Sequence, residues 1–218
     1  MDTAVALVKA YLQINGYFCV SEYPLMETTK GGNVRTVSDL DILAFRFPHA
    51  GRETSVRKKR KLVGDVRFEP DEALGAPQDS ADMIVGEVKR GRARFNPPAR
   101  KPEVLAGALM RFGCCSPSQS KNLAYELLQH GHAESEHGHR IRMVAFGDVD
   151  DSEEPGVSPH KWHIVSLENI VRCLRQHLHD NWDVLRRVHF SNDTLDLLAI
   201  LERIENAAES RRENGESD

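Results

Sequence analysis

The segment "DMIVGEVKRG", residues 82–91, sets an acid and a base two positions apart in an apolar run. Met83, Ile84, Val85 and Val88 suit a buried strand. Strand side chains alternate between faces, so Glu87 and Lys89 share one. Taking such a pair into a core costs several kcal/mol per ion unless further contacts compensate. Upstream, "RTVSDLDILAFRF" (35–47) repeats the anomaly, with Asp39 and Asp41 on the face of Val37 and Leu43. If the two strands pair, Asp41 and Glu87 converge. Two carboxylates repel unless a divalent cation lies between them. Hard oxygen ligands select Mg²⁺ or Mn²⁺. Lys89, next along that face, can hold an attacking water and offset anionic charge. An Asp with Glu-x-Lys is thus a set suited to metal-assisted phosphodiester hydrolysis. The plainer alternative is an ion pair facing solvent at a strand end.

The charge distribution supports the first reading. The formal net charge is −4, which excludes a uniformly basic nucleic-acid binder. Yet Arg57, Lys58, Lys59, Arg60 and Lys61 form one basic run, and Lys89, Arg90, Arg92 and Arg94 form another. The acids gather in 150–154 and in the C-terminal tail. Lys58, Lys59, Arg60, Arg92 and Arg94 are therefore candidates for phosphate contact, which would be sequence-blind and salt-dependent.

The elements that must position these residues are legible in outline. Residues 3–14 carry Val5, Val8, Tyr11 and Leu12 at helical spacing, stopped by Asn15-Gly16. "YFCVSEYPLM" reads as a strand, "TKGGN" as a turn, and 35–47 as the second strand. Residues 48–81, rich in charge, Gly and Pro, read as a basic hairpin insertion before the third strand at 82–91. Pro102 opens a helix closed by Gly113, and "SKNLAYELLQHG" is another. "RIRMVAFGDV" and "KWHIVSL" are strands, the latter followed by a helix at 167–179 capped by Ser166. A last amphipathic helix carries Leu197, Ile200, Leu201 and Ile204 as core or as the surface of a homodimer. Residues 209–218 are polar and expected to be disordered. Three consecutive strands, then a helical crossover to the next, imply one α/β domain built on a mixed sheet with helices on both faces.

In this order, Asp41 followed by Glu87 and Lys89 resembles the PD-(D/E)xK nuclease superfamily, over residues 3 to about 166. The resemblance implies the restriction-endonuclease-like fold, an αβββαβ core at 1–166; the C-terminal helices at 167–208 are expected to pack on it. It also implies a nuclease in which Asp41, Glu87 and the Val88 carbonyl bind Mg²⁺ or Mn²⁺ and Lys89 positions the water. Cleavage would leave 5′-phosphate and 3′-hydroxyl ends. DNA is the expected partner, with RNA open. Asp41 stands in "SDLD" rather than after a proline, and the first helix lacks the Glu some members contribute. Asp39 and Glu22 are further candidate ligands.

The competing reading is a non-catalytic module that keeps the fold and uses the basic hairpin to hold nucleic acid or another partner. The intact Asp, Glu and Lys favour the enzyme. There is no Gly-rich phosphate loop, nucleophile elbow or dinucleotide fingerprint to support another hydrolase or oxidoreductase. No run of about 18 apolar residues suggests a membrane span. The N-terminus has no basic, then apolar, leader, so a cytoplasmic location is expected. Cys19, Cys114, Cys115 and Cys173 are then free thiols. The four histidines of "QHGHAESEHGHR" match no zinc-finger spacing and read as a solvated loop.

Overall fold

A computed structural model describes residues 2–28, 31–50, 54–58, 61–66, 69–148 and 161–215, with the backbone alone at 27–28, 37–38, 54–58, 61–66, 209–210 and 213–215. The chain opens with α1 (Thr3–Ile14), capped by Asp2, whose carboxylate accepts from the Ala4 amide at 2.8 Å. Then come β1 (Phe18–Thr28), β2 (Val34–Arg46), the hairpin β3 (Thr54–Lys58) and β4 (Lys61–Val66), and β5 (Asp82–Arg92). The crossover consists of α2 (Pro102–Phe112) and α3 (Pro117–His130). Both helices start on a proline and end on a left-handed glycine, Gly113 and Gly131, where only glycine sits without strain. The chain continues through β6 (His132–Glu134), β7 (Arg140–Asp148), β8 (His163–Ser166), α4 (Leu167–Asp180), α5 (Trp182–Leu185) and α6 (Asp193–Gly215). Ser166 caps α4 as expected, its hydroxyl accepting from the Asn169 amide at 3.0 Å.

The main sheet is mixed, in the order β1-β2-β5-β7-β6. β1, β2 and β5 form an antiparallel meander, and β7 lies parallel to β5 after the helical crossover. The far edge of β7 is shared: β6 pairs its first three residues and β8 runs parallel to Val144–Gly147. The period-two alternation assigns the two faces. Leu43, Met83, Val85, Met143 and Ala145 pack under α2 and α3. Ile42, Ala44, Ile84, Val144 and Phe146 pack under α1 and α4. Each fully buried Leu or Ile in these layers contributes roughly 1.5–3 kcal/mol. This is the expected α/β arrangement with helices on both faces.

Three features depart from the sequence reading, and a fourth removes one of its two alternatives for the last helix. The histidine-rich loop contains a strand, because Ala133 is buried when β6 adds to the edge of β7. The second crossover helix starts at Pro117, three residues before Ser120. The last helix runs to Gly215, past position 209, in keeping with its Ala, Glu and Arg content. On that helix Leu195 and Ala199 face inward, whereas Leu197, Ile200, Leu201 and Ile204 are exposed. The apolar stripe is real, but the core lies beside it.

A buried polar tie locks the start of β5 to β7. Asp82 is fully buried and receives Arg142 Nε at 2.9 Å on Oδ1 and Nη2 at 2.7 Å on Oδ2. The Tyr17 hydroxyl donates to the same carboxylate at 2.6 Å, and Arg142 Nη1 donates to the Leu74 carbonyl. Arg46, also buried, donates to the carbonyls of Asn15, Pro77 and Ala50, so it anchors the return from the hairpin. Among the described residues no helix is long and apolar enough to cross a membrane. All four cysteines are free thiols.

Candidate active site

The site arises where two strands part. β2 and β5 are paired from Arg46↔Asp82 to Ile42↔Gly86, and there the ladder stops. β5 itself continues, still paired to β7 through Val88↔Phe146. The Val88 amide therefore loses its main-chain partner on the β2 side. Asp41 replaces it, its Oδ2 accepting from Val88 N–H at 2.8 Å. The carboxylate that closes the fork is thereby fixed one residue from Glu87.

Gly86 makes the close approach possible. A Cβ there would stand 3.0 Å from Ile42 Cβ and 3.1 Å from a Phe146 ring carbon. On the opposite face Glu87 continues the row of Met83 and Val85, over Ala145 of β7. Its side chain is 0% exposed, against 24% for Lys89 and 22% for Asp41. Lys89 Nζ donates to Glu87 Oε1 at 2.6 Å and to the Val88 carbonyl at 3.2 Å, and lies 3.6 Å from Asp41 Oδ2. Glu87 Oε2 is buried and accepts no hydrogen bond from the protein.

The electrostatics follow from that burial. Desolvation, the largest influence, pushes the Glu87 carboxyl up to about 7, and the negative charge of Asp41 adds to it. The Lys89 hydrogen bond and the backbone amide of Asn96 act in the other direction and do not cancel it. The Asn96 amide belongs to the segment after β5, which is held by the Ala93 amide donating to Asp148 O at 3.0 Å and by Phe95, buried beside the Trp162 ring. A contribution from the Asn96 main chain has no signature in residue type, and the sequence did not reveal it.

Asp41, Glu87, Lys89 and the Val88 carbonyl are thus brought together. Glu22 and Asp39 do not join them in a metal-holding group: among the described residues no three His, Cys, Asp or Glu side chains gather for that purpose. Glu22 lies across from Asp41 in register, between the pairs Ser21↔Ile42 and Tyr23↔Leu40, but in a left-handed conformation (φ +56°) that interrupts the ladder. Asp39, paired with Pro24, is exposed. Arg92 and Arg94 are exposed and alternate with buried Ala93 and Phe95 on the segment leading to Asn96. Lys58 ends β3, described here by its backbone, and Lys59 and Arg60 lie outside the described residues.

The chain was compared with family models, curated proteins and solved structures. None matches. Function must therefore be argued from the site. Its donor set is hard oxygen: two carboxylates and a carbonyl, with a buried carboxylate oxygen left without a protein donor. That chemistry fits a small divalent cation such as Mg²⁺ or Mn²⁺, which takes one or two carboxylates and keeps several waters. It does not fit zinc, which favours nitrogen and sulfur.

Proposed function

We propose that the chain is a divalent-metal-dependent nuclease acting on DNA, with RNA as an open alternative substrate. The observation that carries this reading is the buried Glu87 carboxylate, kept in the core at a cost, beside Asp41 and Lys89 at a strand fork. A purely structural ion pair gains little from such a position, because burial costs about as much as the pairing returns. In this reading Asp41, Glu87 and the Val88 carbonyl hold Mg²⁺ or Mn²⁺. The ion, when bound, polarises a phosphoryl oxygen and acidifies a water. Lys89 orients that water and offsets anionic charge at the scissile group. Arg92 and Arg94, with Lys58, Lys59 and Arg60, hold flanking phosphates. The element order also supports a restriction-endonuclease-like core, with α1, β1, β2, β5, the α2–α3 crossover and β7 as its αβββαβ unit.

One observation favours a second reading. Lys89 donates to Glu87 Oε1 and to the Val88 carbonyl and lies 3.6 Å from Asp41 Oδ2, as a permanent counter-ion in a non-catalytic module would. A plasmid-nicking assay in Mg²⁺ against EDTA separates the two. Cleavage is expected in Mg²⁺ or Mn²⁺ alone and should be nearly abolished in Asp41→Ala, Glu87→Ala and Lys89→Ala, each still folded by circular dichroism. Lys89→Arg should not restore it, since a planar fork does not replace a compact donor at a water. Undiminished cleavage by the three alanine variants would rule out this site.

A further inference from the structure

We infer that Lys89 is a built-in placeholder for the divalent cation: its ammonium and the ion compete for the same oxygens, and metal binding releases Lys89. The inference rests on the metal-site reading above and adds a conformational step to it. The geometry that motivates it is the coincidence of three contacts. Lys89 Nζ is 2.6 Å from Glu87 Oε1, 3.2 Å from Val88 O and 3.6 Å from Asp41 Oδ2. These three groups supply the oxygens of the proposed metal site, among which the ammonium leaves Glu87 Oε2 without a donor. A small divalent ion needs its oxygens at about 2.0–2.1 Å and disposed around it. An ammonium seated among the same oxygens blocks that arrangement, and two cations so close repel in a site shielded from water.

The same geometry explains why the site is preformed. Two converging carboxylates without a cation would push apart, and the β2–β5 fork would open. With the ammonium seated on Glu87 and close to Asp41, both carboxylates stay in place, and Asp41 keeps its bond to the Val88 amide. Lys89 reaches solvent, 24% exposed beside Asp41 at 22%, while Glu87 is sealed. It therefore has somewhere to go when displaced, and the displaced ammonium is then free to meet a water or a phosphate.

The test is calorimetric titration of the full chain with Mn²⁺ at a fixed pH of 8, comparing wild type, Lys89→Met and Glu87→Ala. Removing a charge-assisted competitor should tighten Mn²⁺ binding by Lys89→Met roughly ten- to hundredfold. Glu87→Ala should lose the binding. Equal or weaker binding by Lys89→Met, with Glu87 still required, overturns the placeholder and leaves the metal site standing. No binding by wild type or Lys89→Met, or binding that ignores Glu87→Ala, overturns the metal site itself. If Lys89→Met does not fold, the wild-type protein answers the question. Acylation of Lys89, followed by peptide mass spectrometry, should speed up when Ca²⁺ is added, and an unchanged or slower rate overturns the displacement.

Discussion

Glu87→Gln distinguishes a functional carboxylate from a structural one through stability alone. In the folded chain burial raises the Glu87 carboxyl to about 7, from 4.5. The unfolded chain releases that proton near the ordinary value. Between these two values the native state binds more protons than the unfolded state, so stability falls as pH rises. The contribution of the protonated form is fully present below 4.5 and is lost as pH passes through about 7. The difference between 4.5 and about 7 is worth roughly 3 kcal/mol. Gln keeps the shape and carries no charge, so it escapes this penalty. Part of the gain is offset because Lys89 loses an ionic partner, but Lys89 reaches water and the Gln carbonyl can still accept from it. The expected net effect is a Gln variant more stable than wild type by about 1–3 kcal/mol at pH 8, converging near pH 4.5. Urea denaturation at several pH values in EDTA measures both limits. A variant less stable than wild type at pH 8 would show that Glu87 earns its place as a salt-bridge partner, and the argument from costly burial would fail.

Two further outcomes follow from other parts of the fold. Asp82→Ala leaves the buried Arg142 guanidinium without its carboxylate and should cost about 3–5 kcal/mol in a urea titration; a loss under about 1 kcal/mol would mean that water reaches Arg142. Arg92→Ala with Arg94→Ala should flatten the salt dependence of duplex binding by up to about 1.8 in log K against log salt, measured in Ca²⁺ to hold back chemistry. An unchanged slope would assign phosphate contact to the basic hairpin at 57–61, where Lys58, Lys59 and Arg60 can be replaced in the same way.

What was legible in the sequence was what local chemistry dictates. The alternation in 82–91 placed Glu87 and Lys89 on one face, and the same rule placed Asp41 where an antiparallel partner would present it. Proline and glycine marked both ends of α2, and Ser166 marked the start of α4. Illegible features depended on distant segments. Arg142 meets Asp82 from 60 residues away, and nothing in either neighbourhood announces the pair. The stripe on α6 was visible as a period, but a period does not say which side the core occupies. The short strand β6 exists because β7 offers an edge, and its own sequence has little strand character.

The position of the candidate site follows from the same distinction. A sheet ladder satisfies its backbone from within, so the place where a ladder ends early must find another acceptor. At the β2–β5 fork that acceptor is Asp41, which fixes a carboxylate beside an amide and next to a second carboxylate. β5 continues past the fork because β7 still supports it on the other side. The result is a rigid strand whose far edge is sealed and whose near edge is freed from pairing at Glu87. Side chains on that stretch differ in access: Glu87 is sealed in the core, while Lys89 and the neighbouring Asp41 reach solvent. An acid and a base two residues apart would be an awkward insertion anywhere along the paired part of β5. At the fork the acid is positioned by the core while the base beside it reaches solvent.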